Sequence, residues 1–135
     1  MNRELVTDPL GVEDLWSDLR ANIKLIQAAG FRDTSVFFGF AWGKHIYEDK
    51  WYDIAMDLAD LEKRVQEAES KGFGRLGSDN LYFTVEPLSL RLNYSHEADI
   101  HLSYAEENAI VAAIRQRWLD QGWLTETLKS RNYNR

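Results

Sequence analysis

The chain has 135 residues, of which 44% are apolar and 28% charged, and its net charge is −6 at neutral pH. That is the length of one domain and the make-up of a folded globular protein, which excludes an intrinsically disordered chain. There is no cysteine, so disulfides, thiolate catalysis and cysteine-held zinc or iron–sulfur groups are excluded. No apolar run approaches the ~20 residues of a bilayer span, and Met1-Asn2-Arg3-Glu4-Leu5 lacks the apolar core of a secretion signal, so a cytosolic protein is expected.

Asp8-Pro9 has the form of a helix start, a capping carboxylate followed by proline at the first helical position. Val12, Leu15, Trp16, Leu19, Ile23 and Ile26 then keep helical spacing until Gly30, which predicts a helix over Pro9 to Ala29. Thr34 to Trp42 reads as a strand with apolar or small residues on both faces, as expected inside a sheet. A second helix is predicted from Asp49 to Ser70, its stripe carried by Trp51, Ile54, Ala55, Leu58, Leu61, Val65 and Ala68. On such a helix Asp53, Asp57 and Asp60, at spacings of four and three, would share one face as an acidic ridge.

Gly72, Gly74 and Gly77 match G-x-G-x-x-G literally, but a dinucleotide fingerprint follows a strand and opens a helix. Here the order is helix, loop, strand. The glycines are read instead as a helix C-cap and the entry to the next strand. Three alternating runs follow: Leu81, Phe83, Val85; Leu88, Leu90, Leu92, Tyr94; and Ile100, Leu102, Tyr104. Residues two apart in a strand share a face, so these predict a three-stranded meander with one greasy and one polar side, turning at Glu86-Pro87 and at Ser95 to Ala98. Ser103 and Glu106 have capping-box spacing, and a third helix is predicted from Ala105 to Gln121, ended by Gly122. Trp123-Leu124 should tuck back and residues 130–135 should fray.

The expected architecture is a single two-layer α+β domain over residues 1–135. It has a four-stranded, largely antiparallel sheet packed with three helices, in the order α-β-α-β-β-β-α.

His96, Glu97, Asp99 and His101 are the one local cluster of residues that could ligate a metal. Imidazole and carboxylate suit zinc, manganese or iron, although two histidines five apart across a turn match no established signature. Asp99 and His101, two apart on a strand, should leave its polar face together, beside Arg91, Asn93 and Ser103. General acid–base work by this pair is a second use. No G-x-S-x-G motif supplies a nucleophile, and Asn93-Tyr94-Ser95 is a chance glycosylation match in a cytosolic chain. Tyrosines and tryptophans total eleven, but stacking on bases works inside positive grooves. Residues 115–135 carry a net +3, which leaves −9 for residues 1–114, so direct nucleic-acid binding is not expected.

The segment Tyr94 to Tyr104, followed by a helix ending Arg117-Trp118 and then Gly122-Trp123, resembles the C-terminal part of small bacterial proteins, some of them immunity partners of secreted toxins. The likeness covers about a third of the chain. It implies a short, acidic, cytosolic, non-enzymatic protein that neutralises a basic toxin by direct binding, with no cofactor and no metal. The partner-binding residues expected are Asp53, Asp57, Asp60, Glu97, Asp99 and His101. The alternative is a metal-dependent or general acid–base hydrolase using the cluster His96, Asp99 and His101.

Overall fold

The computed structural model describes residues 1–47, 53–124 and 131–132. Six strands of four to six residues form one antiparallel sheet: β1 (Arg3–Val6), β2 (Asp33–Phe38), β3 (Ile54–Asp57), β4 (Leu81–Val85), β5 (Leu90–Tyr94) and β6 (Ile100–Tyr104). Their order is β3-β2-β4-β5-β6-β1, and a two-residue β7 (Arg131–Asn132) pairs with the outer side of β1. The helices are α1 (Val12–Ala28), α2 (Phe40–Ile46), α3 (Leu58–Ser70) and α4 (Ala109–Asp120). No helix of the described residues is long and apolar enough to cross a membrane.

The α+β class is as expected, but the four-stranded sheet with three helices is wrong, since the described residues hold a larger sheet and a fourth helix. Three local readings failed. The predicted strand Thr34 to Trp42 stops at Phe38, because the Asp79 carboxylate accepts the Ala41 amide at 3.0 Å and starts α2. Gly39 meets the incoming β4 segment through its amide, 2.9 Å from Asn80 O. Trp42 thus reaches the core from a helix, buried edge-on against Phe38.

The helix predicted over Asp49 to Ser70 begins only at Leu58. Residues 48–52, Trp51 among them, lie outside the described residues. Ile54–Asp57 pairs with β2 as an edge strand, in register Val36 to Ile54 and Asp33 to Asp57. The sequence Ile54-Ala55-Met56-Asp57-Leu58 satisfies both periods, and sheet pairing decided between them. Finally, β1 was not predicted at all. It pairs with β6 over Arg3–Tyr104 to Val6–His101.

The meander itself is as expected, with a 3-10 turn at Glu86–Leu88 taking the first residue of its second run. Helix α1 starts later than Asp8-Pro9, after Gly11, and α4 is capped by Asn108, whose Oδ1 accepts the Val111 amide at 2.9 Å. Such a cap is worth ~1 kcal/mol. Trp123 does tuck back, its carbonyl accepting the Asp8 amide at 2.8 Å, and of the tail predicted to fray only 131–132 are described.

Alternation along the strands puts Val36, Phe83, Leu92, Leu102 and Leu5 in one cross-strand row, all fully buried beneath the helices. Helix α1 lies against both α3 and α4. One buried anion joins these layers. Asp18 of α1 accepts from Asn22 and Tyr94, and from Arg117 and Trp118 of α4.

Candidate functional site: the open face of the sheet

The residues that alternate with the core rows form the opposite face, which the helices leave open. Register sets Phe37, Tyr82, Asn93 and His101 side by side in one row, and Ser35, Thr84, Arg91, Ser103 and Glu4 in the next. Most of these side chains are half-buried, Arg91 is exposed, and Thr84 alone among the nine is buried. A rigid backbone therefore presents aromatic, hydroxyl and charged groups in fixed rows, the arrangement that favours recognition.

At the β6 end the histidine reading acquires a geometry. The His101 ring sits between two carboxylates: Nε2 is 3.0 Å from Asp99 Oδ1, and Nδ1 is 3.4 Å from Glu4 Oε2. Burial alone would lower the His101 pKa, but Glu4 and Asp99 outweigh it and hold it above the ordinary value, favouring an imidazolium that donates from both edges. Asp99 also accepts a very short hydrogen bond from Ser95 Oγ. The side chains of Asp99 and His101 are 17% and 26% exposed, so this pair meets solvent only at its margin.

This geometry bears on the catalytic alternative. The two carboxylates lie on opposite edges of the ring and share no point at which an ion could touch both and a ring nitrogen. Among the described residues no such three-residue ligand group occurs. His96 turns toward Asn80, with Nδ1 3.3 Å and its amide 2.9 Å from Asn80 Oδ1, so the set His96, Asp99, His101 does not converge.

The six residues expected to bind a partner fall into two groups. Glu97 is exposed at the tip of the β5–β6 hairpin, next to the Asp99–His101 pair. Asp53, Asp57 and Asp60 lie at the other edge and do not make a helical ridge, because the backbone through Asp53 and Asp57 is extended. Asp57 instead caps α3, accepting from the Ala59 amide at 2.9 Å, and pairs with Arg32 at 3.0 Å. The amide bond and then the Arg32 guanidinium hold its pKa below the usual carboxylate value. Asp53 and Asp60 are exposed. From β3 to β6 is four strand spacings, about 19 Å, so Asp53 and Glu97 mark opposite sides of the open face, while Asp60 belongs to α3 in the helix layer.

Sequence reasoning missed Glu4, because four residues alternate too briefly to announce β1. It also missed Phe37 and Tyr82, because nothing local tells which strand face a helix will cover. His45 is exposed and stacks on Phe73 with ring centroids 4.7 Å apart. No family model, curated protein or solved structure matches this chain.

Proposed function

We propose that the protein works by binding, as a cytosolic inhibitor of the immunity type that covers a functional surface of a basic protein partner. The observation that carries this reading is the open sheet face, with half-buried aromatics at its centre and carboxylates at both ends. A standard protein interface takes about 800 Å² from each partner, or roughly 28 Å on a side, enough to reach from Asp53 to Glu97 at once. Central aromatics and arginine in such a patch supply most of the affinity, while rim carboxylates speed association with a cationic partner and select it. The net charge of −6 acts in the same direction, against nucleic acid and toward a basic protein.

Asp53 and Glu97 are the carboxylates exposed for this role and Asp60, also exposed, sits on α3 in the helix layer, whereas Asp57, Asp99 and His101 are held in internal contacts and shape the surface beside them. The partner to test is the product of the adjacent coding sequence, co-expressed and purified. A 1:1 complex is expected, weakened about tenfold or more by Asp53→Lys with Glu97→Lys, and more so at low salt. An unchanged dissociation constant for the double variant would remove this surface from consideration.

A further inference from the structure

On the β3 side of the open face lies a hollow of about 300 Å³ lined by Ser35, Phe37, Asp53, Tyr82, Thr84 and Arg91. Two charged side chains of opposite sign face it from either side. Arg91 is pinned by one hydrogen bond, Nε to Thr84 Oγ1 at 3.0 Å, and among the described residues its terminal nitrogens meet no carboxylate. Arg20, Arg32, Arg115 and Arg117 all have acidic partners. Among the described residues Asp53, across the hollow, pairs with no cation, and the Tyr82 and Ser35 hydroxyls make no side-chain hydrogen bond. The Phe37 and Tyr82 rings, 6.0 Å apart, lie between the two charges. One strand over, next to Tyr82, Asn93 Oδ1 is buried without a donor among the described residues.

We infer that this hollow is a small-molecule site for a zwitterion, with a carboxylate held by Arg91 and an ammonium held by Asp53 on either side of an aromatic or aliphatic body. The planar guanidinium fork, fixed at Nε, offers two terminal donors in the geometry that a carboxylate accepts. Asp53 immediately precedes β3, three strand spacings from β5. After the reach of the two side chains, the gap left between the charges is on the order of 7 Å. That fits a molecule with its charges at opposite ends of one ring or of a dipeptide, and is too wide for the adjacent charges of a free α-amino acid. The rings supply the apolar floor that such sites use. This site does not depend on the identity of any protein partner.

The test titrates 15N-labelled protein with 4-(aminomethyl)benzoate, and in parallel with benzoate and benzylamine, each lacking one charge. Saturable amide shifts at Phe37, Tyr82, Thr84 and Arg91 are expected with the zwitterion, at an affinity about tenfold above either half. Arg91→Gln should reduce the zwitterion to the level of benzylamine, and Asp53→Asn to the level of benzoate. Both side chains are exposed, and each variant's own amide spectrum verifies its fold. Equal binding of all three probes, shifts away from the hollow, or affinity unchanged in Arg91→Gln would overturn the assignment. The zwitterion and the basic protein share Asp53 but are tested apart, the zwitterion by amide shifts and its Arg91→Gln variant, the basic protein by complex formation and the Glu97→Lys change.

Discussion

The Tyr94 hydroxyl, on β5, donates to the Asp18 carboxylate, on α1, across 2.9 Å in a site closed to solvent. The same carboxylate accepts from Trp118 Nε1 at 2.8 Å and Arg117 Nη2 at 2.7 Å, so a single anion fastens α1 and α4 to the sheet. Burial, reinforced by the Asp18 charge, pushes the Tyr94 pKa well above its ordinary value, and the phenol stays a donor. Removing one member of a buried ionic network leaves the others unpaired. Asp18→Ala is therefore expected to lose about 3–5 kcal/mol and Tyr94→Phe about 1–3 kcal/mol, read from urea unfolding midpoints. A double variant losing less than the sum of the two would show the coupling directly.

The Glu4–His101–Asp99 set makes stability depend on pH. The His101 pKa is higher folded than unfolded, so its contribution is complete below the unfolded value and is lost as pH rises through the folded one. The urea midpoint should fall as pH is raised from near 6 to near 9, and His101→Gln should flatten that part of the profile. Protection of the β1 amides, corrected for the intrinsic rise of exchange with pH, should fall over the same range, since His101 ties β1 through Glu4.

Gly74 lies against Trp42. A Cβ there would sit 2.8 Å from Trp42 Cβ and 2.7 Å from the Asp79 carboxylate that also accepts the Ala41 and Arg75 amides. Neither neighbour is a loose side-chain end. Gly74→Ala should destabilise the protein by about 1–3 kcal/mol, whereas Gly11→Ala, with open space around it, should be close to neutral. Thermal melts of the two variants test the contrast, and with it the assignment of the 72–77 glycines to packing and turns.

Asp57 and Asp53, four residues apart, should behave differently. Asp57→Ala deprives the Ala59 amide of its acceptor and Arg32 of its partner. It should lower the melting temperature and speed exchange in the first turn of α3 while leaving partner affinity alone. Because the Asp57 pKa is depressed in the fold, its contribution is present above the unfolded value and fades as acid brings pH down through the folded one. Asp53→Lys should do the reverse, reducing affinity with stability unchanged.

The parts legible in the sequence were those whose period had room to repeat. Leu81 to Tyr104 gave three strands, because alternation over three runs has one reading, and Leu15 to Ile26 gave α1. Failures came where long-range pairing chose between local options. Ile54–Asp57 is a strand because β2 lies beside it, and Phe40–Ile46 is a helix because Asp79, 38 residues beyond Ala41, caps it. The site divided in the same manner. Asp99 and His101 on one strand face could be read from spacing, while Glu4 opposite them and the hollow between Asp53 and Arg91 needed the strand order.

The placement of β1 carries a consequence for biosynthesis. Arg3–Val6 is made well before its partner Ile100–Tyr104, and its other edge meets Arg131–Asn132. β1 emerges without its neighbours and stays unpaired until β6 has been made, so this seam of the sheet closes late. Distant pairings of this kind slow folding and lengthen the time an edge is bare to other chains. A substitution that weakens the alternation of Arg3–Val6 therefore burdens this late closure and leaves the β6 edge bare for longer.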